Sequence, residues 1–389
     1  MKKRITVKTQ KQAKGKTSQT QLKKLAAQQR LTIGLDLGDR QSRYCILNAA
    51  GEVISKGSLP TTQTGLNTLF EKMPSSRVAL EVGTHSPWVS RQLAQLGHEV
   101  IVANPRQVAL IGRSTRKDDW IDAEKLARLA RVDPHLLYPI RHRGEEAQAD
   151  LAVLRARAAL VEIRPRLINT ARGLAKPMGE RLKDCDSEAV GPELAKDLSA
   201  PVQAVLGPML QSIAQISEQI HAYDEKIHEM VGRYPEVDWL QPVYGVGELI
   251  SLAFVLTIED PNRFAHSREV GPFLGLVPKQ RQSSQSAPEL RISKEGDRLL
   301  RSLLVQGAHC ILRRGAPDSD LRRWALAKLQ GSDAAGARPE PKGKKKKNRK
   351  KQIVIAVARK LAVLLHRLWA TGEVYEPLYK TRRAVSVAA

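Results

Sequence analysis

The chain has 389 residues, long enough for two or three domains, and 42% of them are hydrophobic, which is sufficient to build a core. Its 64 Lys and Arg residues outnumber its 40 Asp and Glu residues, and the formal net charge of +24 predicts a polyanionic partner, with nucleic acid the first candidate and an anionic membrane surface the second. No run of about 18 uncharged apolar residues is present, which argues against a membrane-spanning helix.

The first 30 residues form a basic arm. Residues 1–30 contain ten Lys or Arg and no Asp or Glu, and such a run is usually disordered. It is either a flexible arm that contacts phosphates or a solubilising tail, and it has no apolar segment of the signal-peptide type. The cysteines of the chain, Cys45, Cys185 and Cys310, are far apart, fit a reducing compartment and form neither a zinc motif nor a disulfide framework.

Residues 31–140 predict an α/β domain. The apolar run from Leu31 to Leu37 contains β-branched residues and ends at Gly38, so it predicts a buried strand that carries Asp36 close to its end. The further predicted elements are strands at Arg43–Asn48, Val53–Ser58, Arg77–Glu81 and Glu99–Ala103, and helices at Thr62–Met73, Pro87–Leu96, Pro105–Ile111 and Asp118–Val132. In this order the first three strands form an antiparallel meander within a mixed sheet.

Residues 141–235 predict a helical, coiled-coil region. Apolar residues recur there at helical spacing, in two runs: Leu151, Leu154, Ala158 and Val161, then Leu210, Ile213, Ile216, Ile220, Tyr223, Ile227 and Met230. A narrow stripe of this length is typical of a coiled-coil seam, so the region is either a dimerising hairpin or a hairpin packed on a domain. Pro165 predicts a kink or an earlier helix end, and Lys176-Pro177 and Gly191-Pro192 predict breaks.

Residues 236–330 and 353–372 predict a mainly helical C-terminal domain, interrupted by a basic low-complexity linker at 331–352. Gly245 and Gly247 form a Gly-x-Gly turn before a predicted helix at Glu248–Thr257. Such a turn exposes backbone amides to an anion, as in a helix-hairpin-helix element, or is simply a loop. The remaining predicted elements are helices at Ser267–Leu274, Asp297–Arg314 and Ile353–Trp369, and a polar loop at Gly275–Ile292.

Four carboxylates carry the candidate chemistry. Asp36 and Glu81 close two predicted strands, and Asp119 and Asp122 lie three residues apart on one face of a predicted helix. Clustered carboxylates repel one another, and Mg²⁺ or Mn²⁺ relieves that repulsion. Each pair has a structural alternative. Asp36 could accept hydrogen bonds from backbone amides of the next turn, and Asp119 and Asp122 could stabilise the positive end of the helix macrodipole. The adjacent Asp118 points about 100° away on the helix and could cap it.

These segments resemble the DEDD transposases of bacterial insertion sequences (insertion sequence family 110). The order of the acids is similar to that of RNase H-like nucleases of the RuvC type. The N-terminal segments that carry the resemblance are Gly34-Leu35-Asp36, Leu80–Ser86 and Lys117–Ala127. The C-terminal ones are Gly245-Val246-Gly247, Arg263-Phe264, Gly275–Pro278, Ser283 and Ile292–Asp297. The resemblance covers residues 31–378.

The resemblance implies a fold, an activity and partners. It implies an RNase H-like (RuvC-like) mixed-sheet domain, a helical dimerisation region and a C-terminal domain that bears a serine nucleophile. It implies a transposase or DNA recombinase that binds donor and target DNA, is guided by a structured bridge RNA, acts as a dimer or tetramer and uses Mg²⁺ or Mn²⁺ held by the four acids. It also implies a bacterial cytoplasmic protein, associated with the nucleoid when it acts and not with a membrane.

The implied nucleophile is Ser283, which attacks DNA to form a phosphoserine link. Ser284 stands where the family has glycine, so Ser284, and less strongly Ser286, remain alternatives, as does a serine-rich loop without chemistry. The basic residues that follow either contact phosphates or form a solvated helix face; they are Arg291, Lys294, Arg298 and Arg301. His85 follows Glu81 closely and is expected to help cap the next helix.

Three other functions fit parts of the sequence. A RuvC-like junction nuclease would use the same acids with water as the nucleophile. A sugar kinase or actin-like ATPase is suggested by residues 33–38, which resemble a first phosphate loop, but no later glycine-rich loop follows and the charge of +24 is unexpected for that class. A non-catalytic nucleic-acid-binding scaffold would need the charge but not the acids.

Overall fold

The computed structural model describes residues 31–104, 119–281, 290–330, 344–379 and 381–382, with the backbone alone for 344–348. The chain divides into two compact units, residues 1–143 and 144–389. Within the described ranges no helix combines the length and the apolar character needed to cross a membrane. The finer domain boundaries expected from the sequence remain predictions.

The first unit is built on a five-stranded mixed sheet in the order β3-β2-β1-β4-β5. Its elements are β1 Thr32–Asp36, β2 Gln41–Leu47, β3 Val53–Pro60, α1 Gln63–Phe70, β4 Arg77–Glu81, α2 Ser86–Gln95, β5 Glu99–Ala103, α3 Asp119–Val132 and a 3₁₀ turn at Pro134–Leu137. β1, β2 and β3 pair antiparallel, and β1, β4 and β5 pair parallel. The predicted meander and the mixed sheet are confirmed.

The two faces of β1 pack against different helices because successive side chains on a strand point to opposite faces. Ile33 and Leu35 are fully buried and pack in one core with residues of α1 and α2, including Phe70 and Leu93. Gly34 faces α3, and a Cβ atom there would lie 1.9 Å from the carbonyl oxygen of Ala123. Only glycine permits this approach, so α3 lies directly on β1.

Two arginines show in which direction α3 runs. Arg77, at the start of β4, donates from Nη1 to the carbonyl oxygen of Ala130 at 3.0 Å. Arg131 donates from Nη1 to the carbonyl oxygen of Ala49, which follows the end of β2, also at 3.0 Å. Both contacts place the C-terminal end of α3 at the edge where β1 and β4 begin. The N-terminal end of α3 therefore lies at the edge where β1 and β4 end.

The predicted helix starts in this unit are close but not all correct. Thr62 caps α1 by accepting from the backbone N–H of Gly65 at 3.1 Å. α2 begins at Ser86, one residue before the predicted start, and His85 occupies the cap position without a side-chain capping bond. Ser86 is fully buried; its hydroxyl accepts from the backbone N–H of Gly83 at 3.0 Å and lies 2.9 Å from Nε2 of His142. The predicted helix at 105–111 and the predicted cap Asp118 lie outside the described residues.

The second unit begins with a long helical hairpin. α4 spans Glu145–Ala175 and α5 spans Ala200–Val231, with 3₁₀ turns at Lys176–Met178 and Pro192–Ala195 where breaks were predicted. The earlier helix end expected at Pro165 is wrong, because α4 continues through this residue. Pro165 is exposed, where water can solvate the carbonyl that loses its helical partner.

The apolar stripe of α5 is buried by the hairpin itself and by the rest of the unit. Near the tip, Leu210 and Ile213 pack with Ile168 of α4, and at the base Ile227 and Met230 join the main core of the unit. Polar contacts fill the middle: Arg157 donates to Asp224, with Nη2 3.1 Å from Oδ2, and Nη1 of Arg164 lies 3.2 Å from Oγ of Ser217. The stripe thus serves packing within the chain, and dimerisation through this region remains a prediction.

The remaining helices of the second unit enclose α7. They are α6 Glu236–Leu240, α7 Glu248–Ile258, α8 Val270–Phe273, α9 Arg298–Leu312, α10 Asp320–Gln330 and α11 Lys344–Thr371, with 3₁₀ turns at Pro261–Arg263 and Ser267–Glu269. From Ile250 to Ile258 every residue of α7 is buried. α10 was not predicted, and α11 begins at Lys344, inside the segment 331–352 that was predicted to be a linker.

Candidate active site

Asp36 and Glu81 are neighbours at the edge of the sheet where β1 and β4 end. The parallel register pairs Leu35 with Leu80, so that the next residue on each strand is one of the two acids. Alternation along the strands puts Asp36 on the same face as Gly34 and Glu81 on the same face as Ala79, which is the face covered by α3. Both acids are half-buried.

The first turn of α3 brings Asp119 and Asp122 to the same edge. Burial raises the pKa of the Glu81 carboxyl above its usual value, and the negative charge of Asp122 raises it further. Asp122 also forms an ion pair with Lys125, whose Nζ lies 3.5 Å from Oδ1. Asp119 lies one turn towards the N-terminus of the helix and is exposed. The edge that holds Asp36, Glu81, Asp119 and Asp122 is called the acidic edge below.

The carboxylate oxygens of the acidic edge are ligands that Mg²⁺ and Mn²⁺ prefer. Burial, and after it the charge of Asp122, disfavours the ionised form of Glu81, and a bound cation would favour that form. In the part of the chain that the structure describes, however, no three His, Cys, Asp or Glu side chains approach closely enough to hold a metal ion. The acids fit a metal by the chemistry of their oxygen atoms, and their side chains would have to draw together to bind it.

Arg43 and Trp120 extend the acidic edge, and sequence reasoning missed both. Arg43 is the register partner of Asp36 across the antiparallel β1–β2 pair, and directly opposed residues share a face of the sheet. Its guanidinium carbon lies 4.8 Å from the ring centroid of Trp120, which stands between Asp119 and Asp122 on α3. The only sequence signal was an arginine at the start of a strand, which has many ordinary explanations.

His85 lies near the same edge, at the N-cap position of α2, but its side chain makes no capping bond. Trp88 donates from Nε1 to Nδ1 of His85 at 3.1 Å, and because an indole N–H can only donate, the proton of a neutral His85 is on Nε2. That Nε2 lies 3.4 Å from Oδ1 of Asp39, in the turn between β1 and β2. The expected capping role is therefore replaced by a contact between two turns.

The predicted nucleophile Ser283 and the alternatives Ser284 and Ser286 lie outside the described residues. The residues on either side of them are described and are held together. Pro278 and Ile292 form an antiparallel bridge, and the backbone N–H of Lys279 donates to the carbonyl oxygen of Arg291 at 3.0 Å. The described residues that flank this segment are thus held next to one another.

The basic residues after the serine segment differ in what they contact. Arg291 is exposed beside the bridge, Lys294 has a positive φ of 58°, and Arg298 at the start of α9 has 85% of its side chain exposed. All three side chains are exposed, Arg298 with its Nη2 3.8 Å from Oε1 of Glu162, and phosphate binding by them remains a prediction. Arg301 has a structural contact as well: its Nη1 donates to the carbonyl oxygens of Leu274 and Glu295 at 3.0 and 2.8 Å.

The two glycines of the Gly-x-Gly turn have different roles. Gly245 has a φ of 82°, and a Cβ atom there would lie 2.9 Å from the carbonyl oxygen of Gly307 on α9. It therefore allows the turn to pack on α9. Gly247 is the N-cap of α7 and has open space around it. Both line a cavity of about 450 Å³ whose other walls include Tyr244 and Tyr375, and phosphate binding at this turn remains a prediction.

Comparison with known proteins gives consistent matches along the chain. A family model described as a transposase, of the DEDD type named for IS110, matches residues 33–178, and a model described as the transposase IS116/IS110/IS902 family matches residues 237–322. Together they cover more than half of the chain. The first match contains the acidic edge, and the second contains the serine segment and the Gly-x-Gly turn.

Curated relatives agree with the family models. A putative transposase of Sinorhizobium fredii is 27% identical over 90% of this chain and 87% of its own length. A probable family 20 transposase of Pseudomonas aeruginosa is 27% identical over 89% of this chain and 98% of its own. The transposase for insertion sequence element IS1111A of Coxiella burnetii is 27% identical over 77% of this chain and 82% of its own.

Proposed function

The chain belongs to the IS110 family of transposases, and we propose that it cleaves and exchanges DNA strands for a bacterial insertion sequence with its acidic edge and a serine nucleophile. The observation that supports this most is the convergence of Asp36, Glu81 and Asp122 on one edge of the sheet. Repulsion among acids from three separate elements is typical of a functional site.

In this proposal Asp36, Glu81, Asp119 and Asp122 hold Mg²⁺ or Mn²⁺. A pair of such ions, when bound, stabilises the attacking and the leaving oxygen of a phosphoryl transfer. The protein supplies the position of the acids: two are fixed by the register of β1 with β4, and two by the approach of α3 to Gly34.

Ser283 is the proposed nucleophile. Its hydroxyl oxygen forms a bond to a backbone phosphorus, the bond from that phosphorus to one deoxyribose oxygen breaks, and the serine proton ends on the released hydroxyl. The energy of the phosphodiester is kept in the phosphoserine link, so that a hydroxyl of another strand can attack it, restore the serine and complete the exchange. Ser284 and Ser286 remain alternatives for this role.

The proposed partners are donor and target DNA, a structured bridge RNA and further copies of the chain, as a dimer or tetramer. The net charge of +24 and the basic runs at 1–30 and 342–351 support polyanionic partners. Residues proposed to contact phosphates are Gly245, Gly247, Arg291, Lys294 and Arg298. A recombinase of this kind works in the bacterial cytoplasm, on the nucleoid, and needs no membrane.

A trapping experiment tests the proposal. The full chain is produced together with RNA transcribed from the flanks of its gene and is incubated with labelled DNA from the same flanks and Mg²⁺. Denaturing gels should show a covalent protein–DNA adduct that is lost in Asp36→Asn and in Ser283→Ala and is kept in the matched control Ser284→Ala. Loss in Ser284→Ala alone would move the nucleophile by one residue.

The alternative is a junction nuclease, which the acidic edge alone would also serve. It predicts that both serine variants cut DNA as well as the wild type does, with free ends and no adduct. A protein in which Asp36→Asn leaves every activity unchanged would instead be a scaffold that binds nucleic acid without catalysis.

A further inference from the structure

Arg43 is positioned beside the acidic edge by two independent constraints. Strand register places it directly opposite Asp36, and opposed residues of an antiparallel pair have Cβ atoms about 5 Å apart on the same face. From there its guanidinium carbon reaches 4.8 Å from the ring centroid of Trp120 on α3. A strand and a helix therefore fix the two ends of one side chain.

Stacking on an indole has a chemical consequence for the guanidinium. The group is planar and carries five N–H donors, and an indole ring holds it through a cation–π contact while offering no acceptor atom to those donors. Arginine held in this way is suited to bind the oxygens of a phosphate in a bidentate manner. The fixed orientation also reduces the conformational entropy that binding costs.

We propose that Arg43, held against Trp120, is a phosphate-binding residue of the active site and contacts a DNA backbone phosphate at the acidic edge. The proposal rests on the proposed function, since it assigns the ligand of the same site. A cation at this position allows a negatively charged phosphate to approach four carboxylates, which would otherwise repel it.

The competing explanation is structural. In that case Arg43 compensates the charge of Asp36 and joins β2 to α3, without touching DNA. The two explanations differ in one measurable respect: a phosphate-binding residue is energetically coupled to one particular phosphate of the DNA, and a structural residue is not.

Methylphosphonate interference measures that coupling. Duplexes that span the end of the insertion sequence are prepared with one phosphate at a time replaced by the neutral methylphosphonate. Binding to the full chain with its RNA is measured for the wild type, Arg43→Gln and Arg43→Lys. Arg131→Gln is the matched control, because Arg131 links the same helix to the turn after the same strand, at the opposite edge of the sheet.

We expect Arg43→Gln to bind unmodified DNA about tenfold more weakly, as for the loss of a charge-assisted hydrogen bond. Neutralising one particular phosphate, or two adjacent ones, should weaken DNA binding by the wild type by a similar factor. The same neutralisation should not change DNA binding by Arg43→Gln. Binding by Arg43→Lys should keep part of its dependence on that phosphate, and Arg131→Gln should have the same interference pattern as the wild type. Thermal unfolding of each variant identifies any loss of folding, and Arg43→Lys then carries the test.

The same interference pattern in Arg43→Gln and the wild type, or no phosphate dependence in the wild type, overturns the proposal. Strand cleavage by the wild type and Asp36→Asn, measured on the unmodified duplex, tests the proposed function separately. If Asp36→Asn abolishes cleavage but Arg43→Gln and the wild type have the same interference pattern, only the proposed role of Arg43 is wrong. If no cleavage is seen but the coupling is present, the phosphate site stands without the proposed chemistry.

Discussion

At the scale of single residues, the ionisation of Glu81 makes the stability of the fold depend on pH. Its pKa is raised by burial and by Asp122, so the folded state disfavours its ionised form. Below the usual carboxyl pKa of about 4.3 the group is protonated in both the folded and the unfolded state, and its burial then does not lower the stability through charge. As the pH rises through the raised pKa, Glu81 ionises in the folded protein and the penalty is complete.

Replacing Glu81 with Gln removes this penalty, because the amide is neutral at every pH. We expect Glu81→Gln in EDTA to have a higher Tm than the wild type at pH 7.5 and the same Tm at pH 4. Mg²⁺ should raise the Tm of the wild type more than that of the variant, since the variant has lost a ligand. Scanning calorimetry at both pH values, with and without Mg²⁺, measures these differences.

Exposed Glu71 at the end of α1 is the matched control. Glu71→Gln should change the Tm equally little at both pH values. A Glu81→Gln variant that is less stable than the wild type at both pH values would show that the carboxylate stabilises the fold rather than straining it.

The residues of the acidic edge differ in how visible they are in the sequence. Asp36 and Glu81 stand out because a carboxylate at the end of a buried strand is costly, and this can be read from one segment at a time. Arg43 and Trp120 do not stand out, because their meeting depends on the register of β1 with β2 and on the position of α3. Register is a property of pairs of strands, and no single segment records it.

At the scale of elements, the contact of α3 with β1 positions half of the acidic edge. We expect Gly34→Ala to destabilise the first unit by about 3 kcal/mol or more, because the new methyl group would overlap backbone atoms of Ala123 and Ala127, which cannot turn aside. Urea unfolding followed by circular dichroism measures the change.

Gly83→Ala is the control for this substitution, since a Cβ atom at Gly83 meets nothing within 4 Å although the residue lies in the turn after Glu81. It should change the stability by less than about 1 kcal/mol. Equal effects of the two substitutions would mean that α3 does not approach β1 as closely as the structure indicates.

Helix α11 shows where element boundaries escaped prediction. The segment 342–351 is rich in lysine and lacks an apolar period, so it predicted either a mobile linker or a phosphate-binding run, and the structure begins α11 at Lys344. Lysine is a good helix former, and the apolar half of α11 anchors the helix in the core, so that the basic half continues it. The core positions of α11 were predictable from their period, and the polar extension was not.

The basic end of α11 should contribute to nucleic-acid binding through phosphate contacts. Replacing the exposed Lys350 and Lys351 with Gln should reduce the slope of log K against log salt for duplex DNA by about 2, since each phosphate contact contributes about 0.9. Fluorescence anisotropy at salt concentrations from about 50 to about 300 mM measures this slope. Lys176→Gln with Lys183→Gln, at the tip of the hairpin, is the control and should leave the slope unchanged.

At the scale of the whole molecule, the candidate chemistry is divided between two units. The first unit carries the acidic edge, and the second carries the bridge between Pro278 and Ile292, which flank the serine segment. The sequence predicted this division through its separate motifs and the helical region between them. The family resemblance further implies that the acids and the serine meet in a composite site across subunits, and this remains a prediction, because the interfaces of an oligomer depend on surfaces distributed over the whole fold.

A mixing experiment addresses that division. If the acids of one copy act with the serine of another, a mixed dimer of Asp36→Asn and Ser283→Ala has one site with both defects and one intact site. Each variant alone should be inactive, and an equal mixture assembled before DNA is added should recover about a quarter of the wild-type adduct, since half of the dimers are mixed and each has one intact site.

The matched control is an equal mixture of Asp36→Asn and Glu81→Gln. Both substitutions lie in the acidic edge, so every site of every dimer keeps a defect and no activity should return. Tagged copies confirm that mixed dimers form in both cases. If mixed dimers form and Asp36→Asn with Ser283→Ala still yields no adduct, the acids and the serine act from the same chain, and each copy must bring its own two units together on the DNA.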